Sequence, residues 1–206
     1  MIALAIWIWA TLVCALVSGA AVQPNGGSAS NSSALMPGII WRGNVTVDGP
    51  IYEFNGTVQE IYAQIKKVNP AYELMPRKHS SSNPKHSERV WYMLTHVQCE
   101  TPYGPPDDWG YAVTNNIQDG ITYLEGLTGD CGVTPGPCGR VSCSWDSAIS
   151  WCWNNPSGGY TLKCSELAGY AQEVVNNCPY RPNEVWGEAY DSAGFSVFCA
   201  GKLHLC

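Results

Sequence analysis

The sequence predicts an α+β fold: a two-layer sandwich of an antiparallel sheet with two or three helices on one face, disulfide-stapled. Three observations predict it. Stretches that alternate apolar and polar residues with period two are interleaved with a few stripes of helical period, so strands and helices share the chain. Each helical stripe has only one apolar face, which needs a sheet to cover it. Nine of the ten cysteines fall between Cys99 and Cys206, a density expected where a small core needs covalent help.

The elements follow in order. Residues 1–20 read as a signal peptide: an uncharged apolar run from Ile2 to Val17 leads into the small residues Ser18 and Ala20, and cleavage is expected after Ala20. No other stretch is apolar enough to cross a membrane once it is removed. Residues 21–38, rich in Gly, Ser, Asn and Pro, form a disordered lead-in. Residues 39–76 form a strand-helix segment: Ile39 to Val47 is strand-like, and Thr57 to Glu60 has capping-box spacing. A helical stripe of Val58, Ile61, Tyr62, Ile65 and Val68 then stops at Asn69-Pro70. The polar run 77–89 reads as a linker.

Residues 90–206 form the cysteine-rich α+β domain. A strand is expected from Val90 to Gln98 and a helix from about Asn116 to Leu124, with Gly126 near its end. Arg140 to Trp153 alternates as a β-hairpin that turns near Asp146-Ser147, with Val141, Cys143 and Trp145 on one side. A second helix should start with Ser165 as N-cap and end at Cys178. Val185 to Tyr190 and Phe195 to Ala200 flank the turn Asp191-Ser192-Ala193-Gly194 as a closing hairpin.

With Cys14 in the signal segment, the cysteines left are Cys99, Cys131, Cys138, Cys143, Cys152, Cys164, Cys178, Cys199 and Cys206. Secretion makes them a disulfide framework rather than metal ligands. Their number is odd, so at most four bridges form within the chain and one thiol is left; the spacing leaves the connectivity open. Asn31, Asn44 and Asn55 each begin an N-x-[S/T] sequon, which marks a secreted glycoprotein. A net charge of −6 excludes a chain that lives by gripping phosphate backbones, so nucleic acid is not an expected partner.

Catalytic signals are sparse. There is no Gly-x-Ser-x-Gly elbow and no His-Glu-x-x-His helix. His79 and His86 fall in the linker; His96 or His204 could join Glu166 or Glu188 as an acid–base pair, but no spacing selects them. Asp107-Asp108 fall far short of a calcium shell, and neither metal nor cofactor is expected. Lys66-Lys67 and Arg77-Lys78 are dibasic pairs at which processing could occur. Trp151 and Trp153 share one strand face, where flat indoles serve either as core or as a platform for sugars or proteins. Trp109, in a polar loop, is the expected exposed aromatic.

The run Gly136 to Cys152, Gly-Pro-Cys-Gly-Arg-Val-Ser-Cys-Ser-Trp-Asp-Ser-Ala-Ile-Ser-Trp-Cys, resembles small secreted cysteine-rich proteins of filamentous ascomycetes, candidate effectors among them. Gly120 to Leu124 and Phe195 to Phe198 with terminal Cys206 fit the same group. In element order the chain is distantly similar to the viral killer toxin of smut fungi, which blocks calcium channels. That toxin is basic, whereas here the chain is acidic and Arg140 stands near the matching strand. The resemblance implies a non-enzymatic, toxin-like or effector-like protein that binds a host or competitor surface. Its partner would be a protein, a membrane channel or a cell-wall glycan, and its candidate contact residues are Arg140, Trp109, Trp151 and Trp153. A cell-wall carbohydrate-binding protein and a small hydrolase or ribonuclease are the alternatives. Cys164 and Cys199 lie outside the family's cysteine pattern; they form an extra bridge, or one of them is the free thiol.

Overall fold

A computed structural model describes residues 36–75, 93–99, 109–134, 136–153, 155, 158–201 and 206. The expected signal peptide, nearly all of the lead-in and the 77–89 linker lie outside the described residues. So do Asn31, His79, His86, His204, Arg77-Lys78 and Asp107-Asp108.

The first elements form from local signals. Strands β1 (Ile39–Asn44) and β2 (Ile51–Gly56) make an antiparallel hairpin. Helix α1 (Val58–Val68) follows with the capping box in place: Thr57 Oγ1 accepts from the Glu60 amide while the Glu60 carboxylate accepts from the Thr57 amide. Its stripe of Val58, Ile61 and Ile65 is buried. Strand β3 (Leu94–Cys99) and the short β4 (Ala112–Val113) precede α2 (Thr114–Gly126) and β5 (Asp130–Val133).

Then come β6 (Gly136–Ser144), β7 (Ser147–Trp153), β8 (Tyr160–Lys163) and α3 (Cys164–Asn177). Strands β9 (Pro179–Arg181), β10 (Glu184–Val185), β11 (Gly187–Asp191) and β12 (Phe195–Gly201) close the chain.

The α+β class and the stapling hold, but the chain is more strand-rich than a two-layer sandwich. The strands form a five-stranded sheet in the order β3-β11-β12-β7-β6, a four-stranded sheet β2-β1-β5-β8 and a three-stranded sheet β4-β10-β9. Helices α2 and α3 pack on each other and on one face of the five-stranded sheet. That face supplies Ile149, Trp151, Val197 and Cys199 to the main core. The opposite face is also covered: Ala148, Cys152, Phe198 and Ala200 form a second cluster with Trp186, beneath Met36, Trp109 and Tyr111. Strands β7 and β12 are therefore buried along their whole length, because both of their alternating sides are apolar or small.

The four-stranded sheet joins the first third of the chain to the second half. Trp41 of β1 pairs with Cys131 of β5, and Trp41, Ile61 and Ile65 belong to the same core as Trp151. A capped helix with one apolar stripe gains most of its stability from such a partner surface.

Four disulfides link Cys99 to Cys178, Cys131 to Cys164, Cys138 to Cys152 and Cys143 to Cys206. Helix α3 is tied at its start to β5 and just past its end to β3. The first tie accounts for a departure from the expected start. Strand β8 pairs with β5 through Lys163 and Cys164 enters the helix directly, so Lys163 is the N-cap without a side-chain cap bond and Ser165 sits inside the first turn.

Cys199 is the odd thiol, fully buried in β12. Burial pushes its thiol far above the ordinary value, so no reactive thiolate forms near neutrality. Native protein at pH 8 is expected to take up no thiol reagent until it unfolds, where one equivalent adds. Rapid labelling of the folded protein, followed by mass spectrometry, would contradict this placement.

Candidate functional site

The feature that stands out is the tip of the β6–β7 hairpin. Ser144 pairs with Ser147, which leaves Trp145 and Asp146 as a two-residue turn. Both have positive φ, 47° and 56°, the backbone of a type I′ turn, where Asn-Gly is the favoured pair. A tryptophan in the left-handed region is an outlier on steric grounds, and this one is also 85% exposed. The sequence pattern had placed Trp145 on the strand face; the turn instead throws its indole into solvent.

The frame around that indole is stiff. Cys138–Cys152 crosses the hairpin, and Cys143, two residues before the turn, is bridged to Cys206. Ser147 Oγ accepts from the Val113 amide at 2.9 Å, which brings β4 up against the turn. Val113 is itself exposed, and on the same small sheet exposed Tyr180 stacks on Tyr111 at 3.9 Å with Arg181 over its ring. One end of the domain thus presents apolar and aromatic groups held by strands and disulfides.

The other tryptophans sit elsewhere. Trp151 is fully buried and Trp153 is 8% exposed, so the pair forms core under the helices and offers no face to a sugar. Trp109 is half-buried against Phe198, with ring centroids 4.4 Å apart. Arg140 lies in β6, where its amide donates to the Pro37 carbonyl and Nη1 lies 4.0 Å from Cys143 Sγ; it stands on the rear face of the sheet, paired with Ser150.

Asn44 and Asn55 are both exposed and belong to the outward rows of β1 and β2. That sheet face carries a row of alternating charge, Glu53, Arg42, Asp130 and Lys163, in direct register across four strands. Ion pairs join Arg42 to Glu53 and Lys163 to Asp130. All four side chains are exposed enough that water screens them, so the row sets register more than stability. Shallow grooves flank it on both sides.

Of the acid–base candidates, the fold brings His96 and Glu188 to one surface. The His96 ring stacks on Tyr190 at 4.5 Å, and the Tyr190 hydroxyl donates to Glu188 at 2.6 Å. Burial, then that carboxylate, pushes the Tyr190 phenol up to about 12. His96 is exposed on edge strand β3 and lines none of the described cavities. Glu166 sits on α3, in the wall of a cavity that His96 does not line. Among the described residues, no three His, Cys, Asp or Glu side chains are grouped to hold a metal.

No protein-family model, curated protein or solved structure matches the chain. None of the comparisons links it to killer toxins or to fungal effectors. Trp145 lies inside the run Gly136 to Cys152. Its exposure could be read from sequence only through turn chemistry: a hairpin whose strands close at Ser144 and Ser147 must place the two intervening residues at its tip.

Proposed function

We propose that the chain is a secreted, non-enzymatic binding protein, toxin-like or effector-like, that contacts a host or competitor surface through the Trp145 hairpin tip. The apolar leader, the four disulfides and the absence of a membrane-spanning helix among the described residues are compatible with secretion. The observation that carries the reading is Trp145. It exposes a large apolar surface and occupies a backbone conformation that disfavours it, so folding does not account for its presence. Exposed indoles on rigid frames are typical anchors of protein contacts. Glycans on Asn44 and Asn55 would cover the four-stranded sheet face and leave the hairpin end open.

The test replaces Trp145-Asp146 by Asn-Gly, the pair best suited to the turn. The variant is expected to melt higher than the parent, by an amount worth about 0.5–1 kcal/mol, while its effect on plant tissue or competing fungi drops at least tenfold. Undiminished effect would remove the hairpin tip from the contact, and no effect from the parent on either target would remove the toxin or effector reading. Retention of the parent on chitin or glucan, lost with the same change, would favour the cell-wall alternative.

A second reading rests on the His96–Tyr190–Glu188 cluster, which supports a small hydrolase with His96 as general base. In a panel of phosphodiester, ester and glycoside substrates, H96A would abolish turnover that the parent shows. Parent protein inert on the whole panel would dismiss it.

A further inference from the structure

A cavity of about 310 Å³ opens between β8, the start of α3 and the β11–β12 turn. Its walls are the rings of Tyr160, Tyr170 and Phe195 and the carboxylates of Glu166 and Asp191. Phe195 lies 5.2 Å from Tyr160 and 5.1 Å from Tyr170, its ring tilted to the first and edge-on to the second, so the three rings turn different faces and edges toward the space.

Asp191 is the unusual member. It is 6% exposed, and its oxygens accept from the Tyr170 hydroxyl and from the Ala193 amide. Both donors are neutral, and among the described residues that line the cavity none is basic. A buried carboxylate held only by neutral groups still favours a cation nearby. Glu166 adds a second negative charge at the rim, where the first turn of α3 suits an acidic residue on its own account. Asp191 opens the β11–β12 turn with one oxygen on the Ala193 amide, and its other oxygen faces the Tyr170 hydroxyl in the cavity wall. Burial, and after it the two carboxylates, raise both phenols above the ordinary tyrosine value, so the rings stay neutral through the physiological range.

We propose that this cavity binds a small organic cation, an amine or quaternary ammonium on a short aliphatic body. Aromatic faces attract such a group through their quadrupoles, and two carboxylates with no basic residue beside them among the described lining residues supply the rest of the field. The same charges repel anions, and a cation that carries its own phosphate loses at the rim what it gains at the ammonium. The Trp145 tip is at the other end of β7 from Trp153, the core residue packed on Tyr160, so this site is independent of the surface contact proposed above.

The test is calorimetric titration of the full chain with choline, with its uncharged isostere 3,3-dimethylbutanol and with phosphocholine. Choline is expected to bind about tenfold or more tighter than either. E166Q is expected to weaken choline about tenfold while the melting temperature falls by no more than a few degrees, the loss of the acidic group at the α3 N-terminus. Y160L, which removes one aromatic wall at a half-exposed position, should lower choline affinity in the same direction. Equal binding of the uncharged isostere, tighter binding of phosphocholine, E166Q that binds choline as well as the parent, or no binding of choline at all would each overturn the proposal.

Discussion

Exchanging both Cys99 and Cys178 for alanine is expected to lower the free energy of unfolding by about 4–5 kcal/mol, the largest effect of any single bridge. The two residues are 79 apart in sequence, and a cross-link restricts the unfolded chain more the longer the loop it closes. The native side of the balance points the same way. Among the described residues β3 lies at the sheet edge with β11 as its one ladder partner, and the bridge ties its end to the end of α3. Without it, β3 is held by one ladder and by the modest burial of Leu94 and Val97. The comparison is the Cys138–Cys152 pair, 14 residues apart, whose loss should cost only about 3 kcal/mol. Urea unfolding at neutral pH measures both, and a larger loss for the short bridge would show that strain or packing, not loop closure, governs these links. Against a total stability of about 5–15 kcal/mol for a domain, that loss is a large fraction of the whole.

The elements legible in the sequence are those whose determinants are local. Helix α1 could be read because Thr57 and Glu60 satisfy each other's amides three residues apart and Asn69-Pro70 ends the stripe. The β11–β12 hairpin could be read because Asp191 to Gly194 is a turn composition between alternating runs. The four-stranded sheet could not: β5 and β8 are four residues each, and their partners lie tens of residues away, so no window contains the pairing that makes them strands.

Trp151 and Trp153 posed a different problem, since alternation assigns a face but not what covers it. The cover comes from Tyr160, Phe195 and the helices, all remote in sequence or known only by register. Trp145 was hidden by its own pattern, because it continues the alternation of Val141 and Cys143 by one step past the strand's end. His96 and Glu188 were legible as residue types, yet only the pairing of β3 with β11 sets them on either side of Tyr190.

Trp151→Ala is expected to cost about 3–5 kcal/mol, the range for emptying a fully buried aromatic site. The indole lies mid-strand in β7, opposite Val197 of β12, and meets Tyr160 and Phe195 edge-on at 6.2 Å and 5.9 Å. Three elements close on it from different directions, so the cavity left behind has no side chain free to refill it. Trp151→Phe separates volume from polarity. Among the described residues nothing accepts a hydrogen bond from the Trp151 indole nitrogen, so phenylalanine orphans no acceptor and removes a buried donor that had no partner. Its cost should be less than half that of alanine, read as the shift in urea midpoint at constant slope. Equal losses for the two variants would mean that the indole edge is held by a buried water or another acceptor. The second sheet would then be locked to the first by a polar contact rather than by the fit of three rings.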